Sequence, residues 1–338
     1  MKFFSNHTLK LIILCSTLYG ILVQSGFYGY NIDYYREYYK KNLYYDLIFD
    51  RFGAYLSTLT ISNYSIGLFL TSFFLALASG LFLFKCFKFY LSKKNVLKKK
   101  YIFLFFLIIY IITLHIHPII MSTSGAMRQG WSMVFLFFSM ILILDKKFIL
   151  SVIFITFSIF MHKSGVINFI YFMCMFFSLL IVEKSKQKMS LMILFSTIFS
   201  LIFFFFFVYL KENSFLIGTG LVAVSQSTRV VYGDFRIFWL FINIIYIILF
   251  IIYGNKSKLH DTLKYPATFL FFASVGNIIV LSHGLNFQYE RLNMMIGIIY
   301  LHVVALMFRK YYIYLIFVLS LIYLFFTINQ GMYSIGLI

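Results

Sequence analysis

Apolar residues fall into eleven runs, about 9–25, 65–84, 101–120, 129–144, 148–161, 165–182, 189–210, 237–253, 266–282, 292–308 and 311–328, separated by short polar or charged stretches. Runs of this length, without the strict alternation of a half-buried strand, predict helices. Most approach the roughly 20 residues that a helix needs to cross the ~30 Å hydrocarbon core of a bilayer. The expected fold class is therefore all-α: a polytopic integral membrane helix bundle of about eleven transmembrane helices. It forms a single transmembrane domain over 1–338, with two longer stretches outside the runs, 26–64 and 211–236.

The polar breaks orient the bundle. Lys85, Lys88, Lys93, Lys94, Lys98, Lys99 and Lys100 make one dense basic loop, which the positive-inside rule assigns to the cytoplasm. Alternation then sets the N-terminus, Asp145-Lys146-Lys147, Glu183 to Lys188, Lys256 to Lys264 and Arg309-Lys310 on that same side. The loops 26–64 and 211–236 face outward. The protein is expected in the cytoplasmic (inner) membrane as a multi-pass chain whose site faces the periplasm or cell exterior. The first run, ending at Val23-Gln24-Ser25, also has the outline of a signal peptide; the ten runs behind it favour a retained helix.

Composition agrees with this class: 62% hydrophobic residues and a mean hydropathy of +0.93 describe a chain that water does not solvate. The net charge of +19 is then mainly a topological signal, and no nucleic-acid motif accompanies it. The 3 cysteines are scattered and predict neither a disulfide framework nor a zinc site. His115 and His117 lack a carboxylate at ligand spacing, so no metal site is assigned.

Lysine and arginine part company in this map. Only Lys40, Lys41, Lys163 and Lys211 fall outside, whereas Arg36, Arg51, Arg128, Arg229, Arg236 and Arg291 all do, leaving Arg309 alone inside. A guanidinium binds phosphate bidentately and keeps its charge when desolvated. The outward side therefore looks built for an anionic, phosphorylated ligand.

One hairpin concentrates the signal. Only 16 residues separate Arg128 from Asp145 and 14 separate Lys147 from His162, so these helices reach just ~21 to 24 Å at 1.5 Å per residue. Their outer ends, Arg128-Gln129 and His162-Lys163-Ser164, should lie below the membrane surface, where ionisable groups are costly and functional. Arg128, at a helix N-terminus, suits a pyrophosphate. His162 is suited to general-base work, with Lys163 adding charge to the phosphate site. Arg229, Tyr232, Arg236 and Arg291 are further candidates for a diphosphate clamp. Glu290 either neutralises Arg291 or joins the ligand site, and Asp234 stands in the same relation to Arg236. In the first outer loop, Tyr34 and Tyr38 either stack on sugars or belong to an interfacial belt. Asp33 and Glu37 either bind sugar hydroxyls, act as an acid/base pair, or form a salt bridge with Arg36.

Asp33-Tyr34 with Tyr38-Tyr39, Arg128-Gln129 opening one span, His162-Lys163-Ser164 ending the next, and Glu290-Arg291 near the C-terminus give the chain a likeness. It resembles the EpsG family of polysaccharide polymerases, functionally akin to the Wzy O-antigen polymerases. That resemblance implies a GT-C-like, metal-independent glycosyltransferase without cofactors. It would transfer a growing glycan from undecaprenyl pyrophosphate to the next lipid-linked repeat unit on the outer face of the membrane. Donor and acceptor would both be undecaprenyl-pyrophosphate-linked oligosaccharides, met at membrane lipid, with a chain-length regulator protein as a further partner. Arg128 and Arg291 would hold the pyrophosphate and His162 would activate the acceptor hydroxyl. Two other readings remain open on the residues: a flippase for the same lipid-linked unit, and a membrane acyltransferase acting on sugars.

Overall fold

The structure, a computed structural model, describes residues 2–25, 64–91, 99–125, 127–162, 164–182, 188–212, 233–254, 263–284, 286–308 and 311–329. Among these residues all regular structure is helical. The helices are α1 (Lys2–Gln24), α2 (Tyr64–Leu91), α3 (Lys99–Leu114), α4 (His117–Ile120), α5 (Met127–Leu144), α6 (Phe148–Met161), α7 (Ser164–Val182), α8 (Lys188–Glu212), α9 (Gly233–Gly254), α10 (Lys264–Ser282), α11 (Asn286–Met307) and α12 (Tyr312–Asn329). Each of the eleven apolar runs contains one of the long helices. Among the described residues six segments are long and apolar enough to cross a membrane, lying in α1, α2, α5, α7, α10 and α11, and shorter apolar helices fall in the other runs.

The third run departs from the sequence expectation. Its apolar pattern predicts one span over 101–120, but α3 stops at Leu114 and the chain restarts as α4, followed by a π-turn over Met121–Gly125. Pro118 explains the break, because it has no N–H with which to continue the ladder from α3. The carbonyl of Ile116 instead accepts from Ile119 and Ile120, at 3.1 and 3.3 Å. The resulting elbow is buried through Ile116, Ile119, Ile120, Ser122 and Thr123, and it delivers the chain to the start of α5.

Helix α11 lies at the centre and packs against α2, α4, α5, α7, α9, α10 and α12. Its span Tyr289–Met307 is 83% buried, whereas that of α1 is only 33% buried and lies at the rim. Apolar residues distributed around all its sides suit such a place, and Gly297 lets it approach α9: a Cβ there would sit 2.6 Å from the Trp239 ring. Outward, the bundle exposes Ile149, Phe205, Ile237, Phe241 and Tyr314, a surface that lipid solvates. This is a membrane-embedded helical bundle.

The α5–α6 hairpin is held by paired serines. Ser132 and Ser158 hydroxyls lie 2.6 Å apart, those of Ser139 and Ser151 2.8 Å apart, and each hydroxyl reaches the carbonyl of its opposite number. Both rungs recur at a seven-residue step, so small polar side chains let the two backbones close on each other. At the turn, Lys147 N–H bonds Leu142 O and Lys146 N–H bonds Ile143 O, both at 2.8 Å, with Lys146 at φ 61. This is a Schellman cap with lysine in the place where glycine is usual. An ion pair between Lys85 of α2 and Asp145 fastens that turn.

Candidate functional site

The register of the serine rungs sets the other end of the hairpin. Arg128 precedes Ser132 by four residues and His162 follows Ser158 by four, so the two stand level where α5 begins and α6 ends. Arg128 is partly buried there and Gln129 fully buried. A Cβ on Gly130 would lie 2.2 Å from the Ser122 carbonyl oxygen, so the residue after Gln129 must be glycine for the elbow to pass over α5.

His162 leaves α6 in an extended conformation, φ −160 and ψ 142, and is 2% exposed. Its carbonyl accepts from Gly165 N–H at 2.7 Å. Its Nδ1 accepts from the Ser164 N–H at 3.2 Å, satisfying one free donor at the start of α7. With Nδ1 an acceptor, the proton of the neutral ring sits on Nε2. In this arrangement the neutral ring offers a donor at Nε2.

Helix α11 brings the third group. Gln129 Nε2 donates to the Arg291 carbonyl at 3.1 Å. One turn further along the same face, Asn168 of α7 donates to Met295 Sδ at 3.3 Å. The carbonyl oxygens of both carboxamides, Gln129 Oε1 and Asn168 Oδ1, are buried without a hydrogen-bond partner among the described residues.

Glu290 is 7% exposed, and its Oε1 is likewise buried without a hydrogen-bond donor among the described residues. The opposite charge acting on Glu290 is that of Arg236, in the first turn of α9, with Tyr289 and Tyr323 close by. The N-terminal turns of α5, α9 and α11 thus meet at one end of the bundle with Arg128, Arg236 and Arg291. The N-terminal ends of the helix dipoles add to the positive potential, and the buried Glu290 carboxylate lies among them.

The expected residues Arg128, Gln129, His162, Arg236, Glu290 and Arg291 are therefore gathered at one end. Asp33, Tyr34, Arg36, Glu37, Tyr38, Lys163, Arg229 and Tyr232 lie outside the described residues. Among the described residues no three His, Cys, Asp or Glu side chains cluster as metal ligands.

Beneath this site runs a polar network that the motifs of the sequence do not announce. Asn293 Oδ1 accepts from Asn243 and Asn277, each at 3.0 Å, and its own Nδ2 donates to the Tyr289 carbonyl at 2.8 Å. Tyr171 donates to Asn277 Oδ1 at 2.9 Å and Tyr300 to Asn243 Oδ1 at 2.6 Å. Tyr300 also meets Ser274 at 2.5 Å. A signal is nevertheless present: the apolar runs of α7, α9, α10 and α11 carry one asparagine each, Asn168, Asn243, Asn277 and Asn293, and a carboxamide is costly in hydrocarbon unless paired.

Comparison with protein-family models, with curated proteins and with solved structures gives no match for this chain. Its class rests on its own helices: a helical membrane protein with a cationic, carboxylate-bearing site at one end of the bundle.

Proposed function

We propose that the protein is a polysaccharide polymerase of the EpsG/Wzy kind, a glycosyltransferase acting on polyprenyl-pyrophosphate-linked repeat units. In this reading all eleven apolar helices span the inner membrane with the N-terminus in the cytoplasm, and the Arg128 end faces outward. The observation that carries it is the bond from Gln129 to Arg291, which draws together Arg128, Arg291 and, through the hairpin register, His162. Those are the residues of the motifs behind the resemblance, and they come from parts of the chain far apart in sequence.

Chemically, such a site suits a diphosphate leaving group. Arginines and helix N-termini stabilise charge that develops on phosphate oxygens as the glycosidic bond breaks. The Nε2–H of His162 would donate to the same oxygens. An apolar bundle surface beside the site would keep the polyprenyl chain in the bilayer. No resident cofactor enters this reading.

The test is the surface glycolipid profile of a strain lacking the gene, complemented with wild type or with Arg128→Ala. Polymerase function predicts glycolipid capped with a single repeat unit in the deletion strain, and a polymer ladder restored by wild type alone. Absence of any repeat unit from the outer face would instead point to lipid-linked oligosaccharide transport. An unchanged ladder in the deletion strain would end the polymerase reading.

A further inference from the structure

We propose that Glu290 is the general base that takes the proton from the attacking hydroxyl of the acceptor sugar. The proposal rests on the polymerase reading and supplies the step which that reading leaves open. His162 is the candidate for this work on sequence, but its Nδ1 is occupied by the Ser164 N–H, so the neutral ring is a donor at Nε2. A base must come from elsewhere in the same site.

Glu290 meets the requirements by geometry. It sits in the second turn of α11, one residue from Arg291, whose carbonyl is tied to Gln129 and hence to the Arg128 turn. It is buried, and its Oε1 accepts no hydrogen bond from any described residue. A buried carboxylate oxygen without a donor is rare in a folded chain, and functional sites are where such groups occur. A hydroxyl offered by a ligand is the donor this oxygen lacks. The groups that face Glu290 suit proton abstraction as well. Arg236 carries the opposite charge, Tyr289 and Tyr323 are phenols, and Arg291 is its neighbour in the chain.

The step balances without a further reactant. The acceptor O–H gives its proton to the Glu290 carboxylate, and the hydroxyl oxygen forms a bond to the anomeric carbon of the donor. The bond from that carbon to the pyrophosphate oxygen breaks, and its electron pair leaves with the pyrophosphate, held by Arg128 and Arg291. The proton on Glu290 then passes to water.

The experiment uses the full-length chain in the deletion strain and in membranes prepared from it, supplied with the polyprenyl-pyrophosphate-linked single repeat unit extracted from that strain. Glu290→Gln should leave that lipid-linked unit unpolymerised, with chain elongation reduced about 10²- to 10⁴-fold, the usual range for loss of a general base, at a normal protein level. Glu290→Asp should retain partial elongation with a shifted limb in its pH–rate profile. Added formate should restore elongation in membranes carrying Glu290→Ala, because a small carboxylate can replace the missing base but cannot repair a packing defect.

A full ladder from Glu290→Gln, beside a lost ladder from Arg128→Ala, overturns the assignment of the base and leaves the polymerase reading standing. Glu290→Ala membranes that hold normal amounts of protein yet gain nothing from formate, or a Glu290→Asp profile that matches wild type, also overturn it. A deletion strain that keeps its ladder removes the polymerase reading itself.

Discussion

The side-chain amide of Gln129 donates to the backbone carbonyl of Arg291 at 3.1 Å, joining the start of α5 to the second turn of α11 across 162 residues. The bond fixes the spacing of the two arginines more closely than their own long side chains can. Gln129→Ala should therefore weaken function far more than fold. The lost hydrogen bond is worth about 1 kcal/mol, seen as a small drop in the detergent melting temperature. Misplacing the arginines by about 1 Å should cut polymer formation roughly 10²-fold. A Gln129→Ala strain with a normal ladder would show that Arg291 is positioned by other means.

Two glycines near helix ends give opposite expectations. A Cβ on Gly165 would lie 2.1 Å from the Ser158 carbonyl oxygen, the same atom that accepts from the Ser132 hydroxyl. Because backbone stands on the far side of the clash, Gly165→Ala must part α6 from α7, and folded protein should fall sharply. Gly284 has φ 74 and nothing within 4 Å of its would-be Cβ. Gly284→Ala should cost only the left-handed backbone penalty, about 1 to 2 kcal/mol. Comparing membrane yields of the two variants separates steric from conformational need.

Most of the helical framework is legible in the sequence because apolar length is read directly as helix. The runs 129–144 and 148–161 match α5 and α6 to within two residues, since Asp145-Lys146-Lys147 and His162 interrupt them sharply. The buried elbow is not legible: His117 to Gly125 is mostly apolar or small, and only Pro118 marks the place where the helix must restart. In the site, local spacing carries Arg128 to the level of His162, because a short hairpin has little freedom. It does not carry Glu290 to Arg236 or Gln129 to Arg291, since such pairings depend on how distant helices pack. The asparagine network escapes for a related reason: single polar residues in separate apolar runs have no periodicity, and their partners emerge only when α7, α9, α10 and α11 assemble.

The serine rungs predict a measurable coupling. Ser139 and Ser151 exchange hydroxyl and carbonyl hydrogen bonds at 2.8 to 3.0 Å, so each alanine substitution leaves its partner's hydroxyl with a poorer set of bonds. A double-mutant cycle should return an interaction of about 0.6 kcal/mol, the usual size for such pairs in membrane bundles. Additive effects would mean that close backbone approach, rather than hydrogen bonding, holds the hairpin.

At the opposite end of that hairpin, Lys146 adopts φ 61 to complete the helix cap. Lys146→Gly relieves the left-handed strain on a side chain and should stabilise the protein by about 1 kcal/mol. Lys85→Ala should destabilise it slightly, by no more than about 1 kcal/mol, because the ion pair with Asp145 is partly exposed. The lysine effect should shrink at high salt and the glycine effect should not, which thermal unfolding at two ionic strengths can test.

Asn293 is the most demanding position in the polar network. Its Oδ1 receives Nδ2 donors from both Asn243 and Asn277 at 3.0 Å, and through them Tyr300 and Tyr171 are held. Asn293→Ala removes an acceptor shared by two buried donors. Asn243 Nδ2 keeps its second bond, to the Tyr289 hydroxyl at 3.0 Å, whereas Asn277 is left to find another acceptor in an apolar interior. Each stranded donor costs about 1 to 3 kcal/mol, so the expected loss is about 2 to 4 kcal/mol after that partial compensation. Asn277→Ala should cost a similar amount, since Asn293 retains the Asn243 donor but the buried Tyr171 hydroxyl loses its acceptor. Adding Asn277→Ala to Asn293→Ala should cost less than the two losses taken separately, because the donor stranded by one substitution is removed by the other. Unfolding of the single and double variants in detergent measures this directly. Losses that simply sum in the double variant would mean that the asparagines act as separate packing residues and that no network spans α7, α9, α10 and α11.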